Sequence, residues 1–222
     1  MTIKILPPDE AAKKARESML QWKRQREIDA AKARIEAGKA KSPPKKESKS
    51  KEETNLTPEE KKKLGKALLK AVKKRDEKKA LELIEKGADV NAVDFYFRKA
   101  LHISAANGRT EIAEMLIANG SNVDARDGFD RTALIHAAQK GNTQTAKMLI
   151  GKGADVNARD KGGVTALMWA AQEGHTETAE MLIAKGADVK ARDIDGVTAL
   201  RVATAKGHTE TAKLLKKHGA KK

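Results

Sequence analysis

Apolar and small residues recur along this chain at helical spacing, and polar loops interrupt them at a fixed interval. A phrase close to Gly-Ala-Asp-Val-Asn-Ala begins at Gly87, Gly120, Gly153 and Gly186, and its first two letters return at Gly219. Each step is 33 residues long, with no insertion. Such strict spacing predicts one supersecondary unit copied in tandem, because a stacked array requires every unit to present the same faces to its neighbours.

The units from Asp94 onward share one plan: a turn that opens with Asp, a short helix, a glycine turn and a longer helix. The short helices share an Ala-Leu pair, which lies at 100–101, 133–134, 166–167 and 199–200. The longer helices share an alanine followed by large apolar residues, at 113–117, 146–150, 179–183 and 212–215. Small residues let helices approach closely and large ones fill the layer between units, so the pattern predicts an all-α array.

Both ends of the array carry the expected signals. Thr57 is placed to cap a helix that starts at Pro58, where a missing N–H costs nothing, and Glu60 completes a capping box. The first unit is rich in lysine and has Arg75 in place of the turn glycine, and the last unit ends in 216–218, Lys-Lys-His. Polar outer faces on terminal units keep a solenoid soluble.

On these motifs, residues 58–222 resemble an ankyrin-repeat array. The family pattern Asp-x-x-Gly-x-Thr-Pro-Leu-His is matched best by 160–168 and 193–201, and its Gly-His turn by 174–175 and 207–208. Every Pro of that pattern is Ala here, only His102 occupies its His position, and Phe97 and Asp130 replace the turn glycine in the first two full units.

The resemblance implies antiparallel helix pairs with hairpin-like fingers, stacked into a curved all-α solenoid with a concave face. It divides the array into five units of about 58–93, 94–126, 127–159, 160–192 and 193–222. It also implies a non-catalytic, protein-binding role.

Residues 1–57 have no counterpart in the repeat and read as a basic N-terminal extension. Residues 9–40 are rich in helix formers after a Pro-Pro stop, and 41–57 form a charged linker. The apolar side of this helix is thin, so it is more stable docked than alone. The predicted docking residues are Met19, Trp22, Lys23, Arg24 and Arg26.

The net charge of +15 is unevenly distributed, since residues 1–57 carry +6, residues 58–86 carry +5 and the remaining 136 residues carry +4. A preference for anionic partners is therefore expected at the N-terminal end. Cysteine is absent, which excludes disulfides and thiolate metal sites. The chain has no apolar run of membrane-spanning length, and its first residues suit neither a signal nor a transit peptide. We expect a soluble, cytoplasmic protein.

The histidines and recurring acids favour structural roles over chemistry. His175 and His208 fall at the family's turn position, where a structural hydrogen bond is expected, and His136 occupies an otherwise apolar position typical of a hydrogen-bonded core histidine. The loop aspartates come one per unit and are expected to bond their own turns. No metal, cofactor or small-molecule substrate is predicted, and we expect the protein not to be an enzyme.

Aromatic residues are few and clustered. Four fall in two adjacent fingers, whereas Trp169 is expected in the core. Aromatic and arginine side chains together are typical of interface centres. The predicted partner-binding residues are Phe95, Tyr96, Phe97, Arg98, Phe129 and Arg131. The alternative is that this cluster packs inside the protein, against the first unit or the Trp22 helix.

Two functions fit this sequence. The first is a protein-binding adaptor or scaffold, in which the array holds one or more protein partners and the basic extension docks on a second surface. The alternative is a peripheral component of a nucleoprotein assembly, in which residues 1–57 contact RNA or an acidic protein groove. Acids interspersed in the extension and its single aromatic residue weigh against RNA.

Overall fold

The computed structural model describes residues 56–220, which form ten α-helices and, as extended structure, only two isolated bridges. The predicted N-terminal helix and most of its linker lie outside the described residues. The helices are α1 Pro58–Lys73, α2 Glu77–Glu85, α3 Ala100–Ala106, α4 Thr110–Ala118, α5 Ala133–Gln139, α6 Thr143–Gly151, α7 Ala166–Gln172, α8 Thr176–Ala184, α9 Ala199–Ala205 and α10 Thr209–Lys217. The predicted all-α fold is confirmed.

The helix start predicted at Thr57 is present in full. The Thr57 hydroxyl accepts a hydrogen bond from the Glu60 N–H at 3.3 Å, and the Glu60 carboxylate accepts the Thr57 N–H at 2.8 Å. Pro58 is the first helical residue. This capping box fixes the first residue of α1.

The helices pack in pairs and in two layers. Each odd-numbered helix packs against the even-numbered helix that follows it. The odd-numbered helices also pack in sequence as one layer, and the even-numbered helices pack in sequence as the other. Each pair therefore covers the apolar face of its neighbour, as the periodic sequence predicts.

Two columns of leucines run through the core at the repeat spacing. The column of the odd-numbered helices is Leu68, Leu101, Leu134, Leu167 and Leu200, and each of these side chains is at most 1% exposed. The column of the even-numbered helices is Leu83, Leu116, Leu149, Leu182 and Leu215, of which Leu83 is 4% exposed and the others 0%. Full burial of a leucine stabilises by roughly 1.5–3 kcal/mol, so these columns contribute substantially to the stability of the stack.

Polar side chains also join equivalent places in successive pairs. Three hydroxyl pairs lie 35 residues apart in sequence, and their oxygens are separated by 2.8 Å at Thr110–Thr145, 2.9 Å at Thr143–Thr178 and 2.7 Å at Thr176–Thr211. Each buried hydroxyl thereby has a hydrogen-bond partner on the adjacent helix pair. These hydrogen bonds therefore fix successive helix pairs in the same relative position as the packing of the leucine columns does.

The Gly-His turns supply a further link, as the sequence indicated. His175 donates from Nε2 to the Gln139 carbonyl at 3.2 Å, and His208 donates to the Gln172 carbonyl at 2.9 Å. The turn glycines have positive φ angles, and a Cβ built on Gly141 would lie 2.7 Å from Nδ1 of His175. Glycine is therefore required there for both backbone conformation and space.

We predict that Gly141→Ala destabilises the protein more than Gly207→Ala. Both glycines have φ near +70°, but a Cβ on Gly207 would meet nothing within 4 Å. Gly207→Ala should cost about 1 kcal/mol for the left-handed conformation. Gly141→Ala should cost about 2–3 kcal/mol, because the His175 ring must also move and lose its hydrogen bond. Urea unfolding measures both, and equal losses would show that the His175 contact is unimportant.

Candidate protein-binding surface on the fingers

A finger is defined here as the loop between the second helix of one pair and the first helix of the next: residues 86–99, 119–132, 152–165 and 185–198. Each finger tip is organised by one aspartate, Asp94, Asp127, Asp160 or Asp193. In every case the Oδ1 atom accepts the N–H groups of the residues two and four positions later, at 2.8–3.0 Å. This repeated turn explains why every unit opens with Asp.

The second oxygen of this aspartate has a different partner in each of the first three fingers. In the first finger, Asp94 Oδ2 accepts from Arg98 Nη2 at 2.8 Å and from Lys73 of α1 at 3.0 Å. Burial by itself raises the pKa of the Asp94 carboxyl, but the hydrogen bonds from two cations and two backbone N–H groups outweigh it and hold the pKa well below its usual range. The first finger is thus tied to the end of α1.

In the second finger the partner is a buried histidine. His136 donates from Nε2 to Asp127 Oδ2 at 2.8 Å. Burial raises the pKa of the Asp127 carboxyl, but the His136 side chain and two backbone N–H groups more than offset it and lower the pKa to about 2. His136 is therefore the satisfied core histidine that the sequence indicated. Its aspartate partner was not predicted, although the nine-residue spacing of the pair recurs in the next finger.

In the third finger the same place is taken by tryptophan. The Trp169 indole N–H donates to Asp160 Oδ2 at 3.1 Å, nine residues back. Trp169 was expected in the core, and its half-buried side chain packs against the core from the edge. Arg131 of the second finger lies over its ring, with Cζ 4.6 Å from the ring centroid, and its Nε is 3.7 Å from Asp160 Oδ2. A polar N–H on the indole explains why the ring stays at the edge of the core.

Successive fingers are joined by backbone and arginine hydrogen bonds. Tyr96, Phe129 and Gly162 each accept, at their carbonyl oxygens, the N–H of the residue 32 positions later, at 2.9–3.1 Å. Arg126 donates to the Arg159 carbonyl at 2.7 Å, and Arg159 donates to the Arg192 carbonyl at 2.6 Å. The finger tips therefore form a connected row.

Exposed large hydrophobic side chains concentrate on this row. Within residues 56–220, all of them belong to fingers: Val93, Phe95, Tyr96, Phe97, Phe129 and Ile194. Phe95 is 88% exposed, Phe97 64%, Tyr96 51% and Phe129 50%. Val93, at 45%, was not among the predicted binding residues. Grouped apolar exposure of this kind marks an interaction site far more often than scattered exposure does.

The aromatic finger patch, defined as Phe95, Tyr96, Phe97 and Phe129, has arginines beside it. Phe95 and Tyr96 meet edge to face, with ring centroids 5.4 Å apart at 86°. Arg98 lies 5.3 Å from the Tyr96 centroid, and Arg131 lies 5.4 Å from that of Phe129. Both guanidinium groups also face a buried carboxylate. The arginines thus hold the rings in place, with part of their own charge already neutralised.

Phe97 occupies a backbone conformation that favours glycine. Its φ angle is 57°, and Asp130, at the equivalent place in the second finger, has φ of 60°. Gly163 and Gly196 take this place in the later fingers, also with positive φ. A non-glycine residue costs about 1 kcal/mol there, so Phe97 is a locally unfavourable choice whose ring nevertheless remains exposed.

The rest of the described chain offers no comparable chemistry. No group of three or more His, Asp or Glu side chains that could hold a metal ion occurs within residues 56–220. None of the helices there combines the length and apolarity of a membrane span. The loop aspartates Asp89, Asp155 and Asp188 each accept the N–H two residues later, so they are turn residues, as expected. The predicted docking residues Met19, Trp22, Lys23, Arg24 and Arg26 lie outside the described residues.

Comparison with models of protein families gives one match. The model described as ankyrin repeats, in three copies, matches residues 52–127, 68–160, 101–193 and 158–222, which overlap and together cover 52–222. No curated protein matches the chain.

The free energy of unfolding should depend on pH because of His102, the buried histidine beside His136. His102 is fully buried, accepts the Lys99 N–H at Nδ1 and donates from Nε2 to the Ala125 carbonyl. Burial lowers its pKa from 6.5 to about 4. The unfolded chain therefore binds more protons between these values, and the free energy of unfolding should fall by up to about 3 kcal/mol as pH falls from about 6.5 to about 4.

Urea unfolding across this pH range measures the loss. His102→Gln, which keeps hydrogen-bonding groups but does not titrate, should be less stable at neutral pH and should show a shallower pH dependence. His218→Gln, which replaces an exposed histidine just after α10, is the matched control for the loss of a histidine side chain. An unchanged slope in His102→Gln would mean that another group is responsible.

A further prediction concerns the effect of the Phe97 ring and backbone on stability. Phe97→Gly removes an exposed ring and relieves the left-handed backbone, so it should leave the free energy of unfolding unchanged or raise it by up to about 1 kcal/mol. Phe97→Ala keeps the backbone cost and is the matched comparison, expected to be about 1 kcal/mol less stable than Phe97→Gly. A loss of several kcal/mol in Phe97→Gly would show that the ring packs as a core residue.

Proposed function

Because this chain belongs to the ankyrin-repeat family, whose repeats are generally protein–protein interaction modules, we propose that it is a non-catalytic adaptor or scaffold that binds a protein partner through its fingers. The aromatic finger patch, with Arg98 and Arg131, forms the contact centre. The basic extension of residues 1–57 docks on a second surface. Fold alone specifies no partner, so the argument rests on the patch.

The exposure of the aromatic rings is the observation that carries this proposal. Every exposed large hydrophobic side chain of residues 56–220 lies on a finger, and the three most N-terminal rings are consecutive. Tyr and other large aromatic side chains supply much of the binding energy in protein interfaces. Exposure of all four rings also weighs against internal packing within the array as their role.

The turns that carry the patch are also held by hydrogen bonds within the array itself. Asp94 and Asp127 fix the turns that carry the rings, and the Gly128 N–H bonds the Tyr96 carbonyl at 2.9 Å to join the two fingers. Ordering a flexible loop on binding costs affinity, and a fixed loop avoids that cost. The unfavourable φ of Phe97 fits the same role, because strain retained at an exposed residue is typical of functional sites.

The proposal predicts that Phe95→Ala, Tyr96→Ala and Phe129→Ala, combined, abolish partner binding without unfolding the array. Loss of a hot-spot ring costs about 2 kcal/mol or more, so the triple variant should weaken binding by at least about thirtyfold. Affinity capture from cell extract with quantitative mass spectrometry, compared between wild type and the triple variant, identifies the partners that depend on the patch.

Ile194→Ala is the matched control, because Ile194 is 75% exposed on the fourth finger, away from the aromatic rings. It should capture the same partners as wild type. Equal recovery of every partner by the triple variant would count against the patch, provided that both proteins unfold at the same urea concentration.

A further inference from the structure

The aromatic finger patch continues into a row of lysines on α1. Lys62, Lys66, Lys70 and Lys73, here called the lysine stripe, lie at successive turns of the helix. At 3.6 residues per turn they fall within about 80° of its circumference and extend about 16 Å along its axis. All four are exposed, whereas the neighbouring Leu69 is buried. The stripe is therefore a solvent-facing edge of the first helix.

The last lysine of the stripe lies against the tip of the first finger. Lys73 Nζ lies 3.0 Å from Asp94 Oδ2, in the turn that carries Phe95, Tyr96 and Phe97. A ligand that lies along the lysines therefore reaches the aromatic rings at the C-terminal end of α1. Along α1, the positive charge of the lysine stripe is therefore followed by the apolar surface of the aromatic rings.

The first three lysines of the stripe have no carboxylate partner in the described part of the chain. The acids of this helix pair are largely engaged elsewhere: Glu60 and Asp76 cap helices, Glu77 pairs with Arg109, and Glu82 pairs with Lys79 and Lys86. Glu59 shares the face of the stripe but lies in the first turn, at the end of the stripe opposite Lys73. The positive charge of the stripe is therefore available to a ligand.

We propose that the lysine stripe and the aromatic finger patch together bind an acidic protein segment whose negative run is followed by large apolar residues. The proposal rests on the proposed function and names the chemistry of its partner. Residues 1–57 of this chain carry a net charge of +6, so they do not complement the stripe. In an extended segment alternate side chains lie about 6–7 Å apart, close to the rise of one helical turn between successive lysines.

The ring geometry favours a peptide over a single-stranded nucleic acid. Phe95 and Tyr96 meet at 86°, so they present no parallel faces on which consecutive bases stack. Arg98 lies over Tyr96 and Arg131 over Phe129. Aliphatic and aromatic side chains of a peptide pack equally well on ring edges, and the glutamates of the same peptide pair with the lysines.

Fluorescence anisotropy with the full-length chain tests this proposal. The probe is a labelled peptide with glutamate at alternate positions followed by leucine and tryptophan. Lys62→Gln, Lys66→Gln and Lys70→Gln, combined, should weaken its binding about tenfold at low salt, since each exposed charge pair contributes modestly. Lys213→Gln, Lys216→Gln and Lys217→Gln, combined, make the same change of net charge on α10 and should leave binding unchanged.

The probes and variants separate the two proposals. A peptide with glutamine in place of glutamate, and one with alanine in place of leucine and tryptophan, should each bind at least about tenfold more weakly. If the finger triple variant loses the probe but the α1 lysine variant does not, the inference fails while the finger site stands. If both lysine variants weaken binding equally, or oligothymidylate of similar length binds more tightly than the peptide, the acidic-segment proposal is wrong. No binding of the probe by the full chain likewise overturns it.

Discussion

Each helix pair in residues 56–220 depends on an adjacent pair to complete its core and its hydrogen bonds. The leucine columns are buried only because neighbouring pairs cover them, and the hydroxyl of Thr143 finds its partner on Thr178 of the following pair. The contact must occur at the same relative position each time, so an insertion within one unit would break several bonds at once. This constraint keeps the spacing at 33 residues and leaves few positions free to vary.

The finger tips carry exposed side chains that the stack does not bury, and successive tips are joined largely by hydrogen bonds to backbone carbonyl groups. The Asp94 turn needs only the aspartate and its N–H donors, so the side chains beyond it can change without loss of the stack. The exposed tip positions are aromatic in the first two fingers, whereas the fourth finger carries Ile194. Binding specificity in such an array can therefore be placed on the tips while the helices conserve stability.

The first helix pair has two roles, and both need the lysines on its outer surface. An end unit needs a polar outer face to keep the solenoid from associating, and lysines on α1 provide it. The same lysines, directed by the Lys73–Asp94 contact towards the aromatic rings, also provide a charged approach to the fingers. Electrostatic attraction of this kind raises association rates and discriminates between partners more than it raises affinity.

The sequence by itself determined the repeat, the all-α fold, the Thr57 cap and the structural roles of His175 and His208, because these follow from local propensity and strict spacing. It did not determine whether the finger rings are exposed, since burial of a loop side chain depends on its three-dimensional neighbours. It also placed Trp169 in the core but did not predict that the Asp160 carboxylate accepts its indole N–H. The Asp127–His136 pair and the meeting of α1 with the first finger were likewise decided by tertiary structure, since each joins side chains from separate elements.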